Sequence, residues 1–441
     1  MPNLPMLIVQ IAVILVVARL VGYLFRKIQQ PQVMGEMVAG ILLGPSLLGW
    51  VAPDIFNALF PQYSLGFLSS ISQIGLLLFM FLVGLELDPK ILRGHGHTAL
   101  VTSHVSIIAP FLLGALLALY LYPRLSDDSV TFTGFALFIG AAMSITAFPV
   151  LARILAERKL LRTPLGAVAI ACAAVDDVTG WCVMAGVVLV VRASSAATPF
   201  WLTLLGTAIF VATMLFLMRP GLRKLEVMYH KRGVISQNMM ALILLLVLAS
   251  SWVTETLGIH ALFGAFLVGA IMPKQPDFVH ALDQKLHDLA VVLLLPIFFA
   301  FTGLRTSIGL VDGAEMWFYC FLIILVAIAG KFGGSSISAR ITGMPWREAS
   351  ALGILMNTRG LMELVILNIG LDIGVISPAL FAMMVLMALI TTFMTSPILE
   401  WLYFRRAYPP KDALVEVGDL FPEVGNISPE LATAAGETEP R

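Results

Sequence analysis

Long apolar stretches, separated by short polar ones, dominate this chain. A helix that crosses the hydrocarbon of a bilayer needs about 20 mostly apolar residues. Breaking the chain at charge clusters and Pro/Gly loops predicts about thirteen such helices. The first seven lie at about 5–25, 33–50, 66–87, 98–122, 131–156, 164–192 and 199–218. The other six lie at about 236–257, 260–273, 288–305, 314–339, 349–371 and 375–402, the ninth being short. From 407 to 441 the sequence turns polar and rich in Pro and Glu, and reads as a disordered cytoplasmic tail. Neither the basic start nor the cleavage site of a secretory signal is present, so the first helix is expected to be retained.

Composition agrees with that pattern. Of the 441 residues 59% are hydrophobic and only 12% charged, where a soluble domain carries about a quarter. So few charges cannot clothe a water-facing surface, and lipid must be the solvent over most of the outside. The net charge of zero removes any electrostatic case for nucleic acid. Orientation follows from the Lys and Arg residues, which favour the cytoplasmic loops. Of the 27, all but six fall in loops after odd-numbered spans or in the C-terminal tail. The exceptions are Arg124, Arg192 and Arg305 in the other loops, and Arg19, Lys331 and Arg359 within spans. The N-terminus is therefore expected outside and the C-terminus in the cytoplasm of a multi-pass protein of the cell's inner or plasma membrane. Cys172, Cys182 and Cys320 lie in apolar runs and read as buried small hydrophobes. No nucleotide-binding motif occurs, so no cofactor and no enzymatic reaction are expected.

Charges inside the spans are the candidate chemistry, because each is costly at mid-membrane depth. The sixth span carries Asp176 and Asp177, and the eleventh carries Lys331. The twelfth carries Asn357-Thr358-Arg359-Gly360 and then Glu363; the fifth carries Ser144, Thr146 and Pro149. Two adjacent carboxylates in low dielectric cannot cheaply both be charged without a partner, and Lys331 supplies one. A purely bracing salt bridge would leave one acid over. Such an acid can hold a proton or a hard monovalent cation, each displacing the other. Arg359 and Glu363 are spaced to neutralise each other on one helix face, a structural role at least as much as a direct one. Pro149 removes a helix donor, and Thr358-Arg359-Gly360 offers a second break. Discontinuous helices put free carbonyls and dipole ends where an ion can use them.

Broken spans 5 and 12, and charged spans 6 and 11, suggest two six-span repeats joined by the seventh. Corresponding helices then sit seven apart, and an odd offset inverts one repeat relative to the other. Of the lesser candidates, Glu86 and Glu36 could line an inward funnel or be solvated helix-end acids. His95 and His97, in the loop after the third span, read as an exposed loop rather than as a sensor of cytoplasmic pH, and Gly40-x-x-x-Gly44 merely permits close packing.

The chain resembles the monovalent cation:proton antiporters that include Kef-type, NapA-type and plant cation/H+ exchanger-type proteins. The resemblance rests on Gly35-Glu36 with Ala39–Pro45, on Phe81–Asp88, and on Thr146–Leu155. It continues through Asp176-Asp177, Gly330-Lys331 and Leu355–Leu364. It implies the Na+/H+ antiporter fold: an all-α membrane protein of inverted repeats with two crossing discontinuous helices, working as an elevator and as a homodimer. The exchanger domain would cover 1–406, with a moving core from spans within 98–192 and 314–402. A dimerising scaffold would come from spans within 5–87 and 236–305, with 199–218 as linker helix. By carry-over Asp177 would be the main cation and proton carboxylate, Asp176 the partner of Lys331, and Thr146 an ion ligand at the break, with Ser144 beside it. Arg359, Glu363, Asn357, Thr358 and Pro149 would support them. Na+ or K+ would exchange for H+. An ion channel and a sodium-coupled solute symporter on a related inverted-repeat scaffold are the rival readings. The chain lacks the nucleotide-binding domain of Kef proteins, so regulation of that kind is not expected.

Overall fold

The computed structural model describes residues 4–28, 30–86, 96–127, 130–158, 160, 163–193, 200–258 and 260–404, and among these it contains helices and no strands. The tail at 407–441 and His95 lie outside the described residues, as do the side chains of His97 and Glu86. Among the described residues ten helices are long and apolar enough to cross a bilayer, and a bent pair, Trp346–Met356 and Leu361–Asp372, makes up to eleven. The fifth and ninth predicted spans correspond to shorter apolar helices, Phe132–Ser144 and Ala261–Ile271. Ala261–Ile271 has 11 residues, which reach about 16 Å and cannot cross about 30 Å of hydrocarbon alone.

Both expected breaks are present. Phe132–Ser144 ends, Ile145–Ala147 runs extended, and the chain re-enters a helix at Phe148–Glu157. The expectation that Pro149 makes this break needs correcting. Pro149 is the second residue of the new helix, where its missing N–H breaks no helical bond. In the twelfth span the two halves are bent by 43° across Asn357–Gly360. The breaks meet: the Ala147 N–H donates to the Thr358 carbonyl at 3.1 Å.

Glycines let other spans touch backbone to backbone, which lipid-embedded helices use in place of a hydrophobic drive. A Cβ on Gly40 would lie 2.3 Å from the Phe299 carbonyl oxygen, and one on Gly44 2.4 Å from that of Gly303. The Gly40/Gly44 spacing is thus a real contact between spans 2 and 10. Likewise a Cβ on Gly84 would lie 2.2 Å from the Phe266 carbonyl oxygen, and one on Gly269 2.1 Å from that of Phe81. That joins spans 3 and 9. Adding seven to span 2 and subtracting seven from span 10 turns the first pair into the second. The inverted repeat, first reached by counting, is therefore present in the packing.

Prolines provide a second recurring contact. A mid-helix proline has no N–H for the carbonyl four residues back, and that carbonyl becomes an acceptor for another span. Pro397 leaves the Phe393 carbonyl to the Gln30 side chain at 3.2 Å. Arg19 reaches the Val292 carbonyl at 3.3 Å, in the π-helical turn Asp288–Leu294 that precedes Pro296. Cys172 and Cys320 are buried as expected, but Cys182 is exposed on its helix, a correction: its span presents that side outward.

Candidate functional site

Asp176 and Asp177 lie midway along the helix Pro164–Ala193, at 0% and 1% exposure. Successive helix residues point about 100° apart, so the two carboxyls have different surroundings. Asp176 Oδ1 accepts from Ser103 Oγ at 2.9 Å and Ser106 Oγ at 3.0 Å. Its Oδ2 accepts from Thr146 Oγ1 at 2.8 Å, Lys331 Nζ at 2.7 Å and again Ser106 Oγ at 3.0 Å. An ionised carboxylate has about four acceptor positions. Side chains of the fourth, fifth and eleventh spans fill them.

Lys331 is fully buried in a π-helical turn, Ala329–Gly333, within the eleventh span. Such turns are rare and recur at functional positions. All three ammonium protons are used: besides Asp176, Nζ donates to the Ser144 carbonyl at 2.5 Å and the Ser106 carbonyl at 3.0 Å. The Ser106 carbonyl is available because Pro110, four residues on inside the helix Gly96–Leu125, has no N–H to give it. Gly330 brings the two spans together there, since a Cβ on it would sit 2.7 Å from Pro110 Cα.

Arg359 is the second buried cation, in the non-helical stretch of the twelfth span. Nη1 donates to the Ala142 carbonyl and to Glu363 Oε2, both at 2.9 Å, and Nη2 to the Met143 carbonyl at 2.6 Å. Thr392 Oγ1 fixes its backbone, accepting from the Arg359 N–H at 2.8 Å and donating to its carbonyl at 2.7 Å. The last three carbonyls of Phe132–Ser144 therefore face two cations, which is the charge that the negative end of a helix dipole favours. This corrects the expectation of carbonyls open to an ion: Arg359 and Lys331 already hold them. At the other break, the Leu355 carbonyl accepts from Thr358 Oγ1 at 2.6 Å, and the Met356 carbonyl, at 3.1 Å, shares the single Thr146 Oγ1 proton with Asp176. The Ile354 carbonyl, at 3.3 Å, shares the Thr395 Oγ1 proton with the Thr391 carbonyl at 3.1 Å. No cation is involved there. Asn357 beside them reaches only the Met394 sulfur, at 3.9 Å.

Of the candidate residues, Asp176, Lys331, Thr146, Ser144, Thr358, Arg359 and Glu363 come together at the crossing, with Asp177 next to Asp176. Ser144 contributes its carbonyl; its hydroxyl turns back to the Gly140 and Ile107 carbonyls at 2.6 and 3.0 Å. Glu36 is buried and accepts from Gln32 on its own helix at 2.9 Å, so it is not a solvated helix-end acid. Ser103, Ser106, Pro110, Thr392 and Thr395 were not anticipated. The available signal was two serines three residues apart with a proline four beyond, in an otherwise apolar span.

Residues 13–404 match the family model described as sodium/hydrogen exchanger, transmembrane. The Na(+)/H(+) antiporter NhaS4 of Synechocystis sp. is 46% identical over 402 residues, covering 91% of this chain and 98% of that protein. Cation/H(+) antiporter 17 of Arabidopsis thaliana is 43% identical over 401 residues, covering 91% of this chain and 48% of its own length. K(+)/H(+) antiporter 1 of Saccharomyces cerevisiae is 34% identical over 407 residues, with 91% and 46% covered. The chain thus spans nearly all of the first relative and about half the length of the plant and yeast ones. A solved structure of the sodium proton antiporter MjNhaP1 from Methanocaldococcus jannaschii superposes with a TM-score of 0.66 at 16% identity, over 93% of this chain and all of that one. Another superposes at 0.60. That likeness carries the fold, with the broken-helix crossing that frames the buried acids. By its sequence over nearly the whole membrane region, this chain belongs to the sodium/hydrogen exchanger transmembrane family.

Proposed function

We propose that the chain is a secondary active antiporter that exchanges a monovalent cation, Na+ or K+, for H+, with Asp177 as the exchanging carboxylate. One observation carries this reading: among the described residues the crossing buries the carboxyls of Asp176, Asp177 and Glu363 at mid-span, together with Lys331 and Arg359. Each base is matched to one acid, Lys331 to Asp176 at 2.7 Å and Arg359 to Glu363 at 2.9 Å. A carboxylate ionised at this depth is expensive in a low dielectric. A bound proton or a bound alkali cation neutralises it equally well, and the two compete for the same oxygens. The names of the Synechocystis, plant and yeast relatives support the same exchange.

The cycle is an elevator: a core from spans within 98–192 and 314–402 carries the acids across the membrane past a scaffold from spans within 5–87 and 236–305. The scaffold's glycine crossings give it rigidity, and it pairs with a second copy. Residues 199–218 link the two halves, the N-terminus faces outside, and the C-terminus is cytoplasmic, as the placement of Lys and Arg favours. Thr146 serves both breaks and Asp176, and so couples core movement to the site.

The test is purified protein in proteoliposomes containing a pH-sensitive dye, with gradients of Na+, K+ or Li+ imposed. Antiport moves protons against the imposed cation gradient with the voltage clamped. Cation flux without proton movement would make the chain a channel and defeat this reading, and a requirement for an organic solute would make it a symporter.

A further inference from the structure

We infer that Arg305, at the outer end of the tenth span, is a positioning residue. It holds the outer half of the twelfth span against the scaffold and so shuts the outer approach to the crossing. This rests on the antiport reading above, with its orientation and its division into core and scaffold. The outer half is the helix Leu361–Asp372, which starts at the break. Its 12 residues cover about 18 Å and lead from the crossing toward the outer face. Val365, Asn368, Ile369 and Asp372 recur at intervals of three and four, so they share one side of it, and all four line one cavity. Residues of spans 3, 9 and 10 line the opposite wall, Arg305 among them. The cavity holds only about 30 Å3, room for about two waters, and Val365 in its wall is 1% exposed. A hydrated cation does not pass.

Arg305 closes this seam with both ends of its fork. Nη2 pairs with Asp372 Oδ1 at 2.6 Å, and Nη1 donates to Asn368 Oδ1 at 3.1 Å. The two acceptors sit one helical turn apart, so the planar guanidinium clamps the end of the half-helix rather than a single side chain. Asn368, 7% exposed, turns its amide to Thr302 Oγ1 at 2.9 Å, about one turn before Arg305 on the tenth span. The ion pair alone weighs little, because its side chains are 24% and 45% exposed. It matters because it lies over the buried amide–hydroxyl bond. The guanidinium is itself steadied, 5.6 Å from the centre of the Phe301 ring and at the C-terminal end of the helix Leu295–Leu304, where the dipole favours a cation. The seam is looser at its cytoplasmic end. There Gln30 reaches the Phe393 carbonyl at 3.2 Å, beside a cavity of about 310 Å3 that Arg158 and Glu400 also line. The chain thus stands shut outside and roomier inside, and outward opening has to break the Arg305 clamp. Breaking it also frees the Asp372 carboxylate to attract an incoming cation.

The experiment is labelling of a Val365→Cys variant of the full chain by a membrane-impermeant methanethiosulfonate, added outside right-side-out membrane vesicles. Labelling of the parent chain is subtracted to remove its native cysteines. Adding Arg305→Gln should raise the labelling rate about fivefold, the population shift expected for losing a half-exposed ion pair and one hydrogen bond. Arg305→Lys keeps the charge without the fork and should give a smaller rise. Exchanging the partners, Arg305→Asp with Asp372→Arg, should bring the rate back toward that of Val365→Cys alone, a rescue that a merely structural arginine would not allow. If Arg305→Gln fails to fold, Asp372→Asn is read in the same way, with a smaller rise. A folded Arg305→Gln variant that labels no faster overturns the inference. So does an exchanged pair that labels as fast as Arg305→Gln, or a thiol that reacts only in inverted vesicles. Accessibility is read without flux, which keeps the two claims apart. Faster labelling in Arg305→Gln beside a chain that moves no protons supports the clamp and defeats the antiport reading. An unmoved labelling rate beside working antiport removes only the role given to Arg305.

Discussion

The two broken helices are related by the inverted repeat yet end in opposite ways. At the first break, the carbonyls of Ala142, Met143 and Ser144 are taken by Arg359 and Lys331. At the second, threonine hydroxyls reach the carbonyls of Ile354, Leu355 and Met356, and the first two also keep a backbone donor, the N–H of Asn357 and of Thr358. The first device satisfies orphan carbonyls that lipid cannot; the second adds to bonds that the backbone already makes. They differ in consequence. A hydroxyl cap is self-contained, whereas a buried cation needs an acid, and two cations have drawn in Asp176 and Glu363. Charge-capping one break only makes the crossing electrically asymmetric.

The comparison breaks first at Lys331. Lys331→Met strips three hydrogen bonds and leaves Asp176 without its ammonium, and removing one partner of a buried pair costs about 3–5 kcal/mol. The thermal unfolding temperature of the detergent-purified protein should drop sharply. Adding Asp176→Leu to it should recover part of the loss, since the pair as a whole costs much of what it gains. A Lys331→Met loss below about 1 kcal/mol, the worth of one ordinary hydrogen bond, would mean that charge does not hold the first break.

Next comes Arg359. Arg359→Met removes two carbonyl bonds and the Glu363 partner, with an expected cost of about 3 kcal/mol. Adding Glu363→Gln should soften it, as neutralising the stranded acid removes most of the penalty. Measured additivity of the two substitutions would deny the coupling seen at 2.9 Å. The smallest effect belongs to the second break. Thr395→Val, nearly isosteric, removes one neutral donor and should cost about 1 kcal/mol. A larger loss than Arg359→Met gives would reverse the contrast between the breaks.

Much of this arrangement was legible because hydropathy and charge are strong signals inside a membrane. Asp176, Asp177, Lys331, Arg359 and Glu363 stand out in apolar runs where nothing else is ionisable, and the spans fall out of the spacing of such runs. The two breaks were legible as well, although Pro149 marked the start of the new half-helix rather than the break. What escaped was neutral or non-local. Ser103 and Ser106 look like any serines in an apolar helix until Asp176, 73 and 70 positions on, is folded against them. Nothing local says that Arg359 will cross 216 positions to the Met143 carbonyl. Pro110 hides its effect one helical turn earlier, on the Ser106 carbonyl. The Gly40 and Gly44 contact needed Gly303 to become visible.

The central claim is that the buried carboxyl of Asp177 trades a proton for a cation. It is tested most directly by counting protons released when Na+ or K+ is added to weakly buffered, detergent-purified protein. Cation binding should expel protons from the intact chain and none from a folded Asp177→Asn variant. Undiminished proton release from Asp177→Asn would contradict the claim.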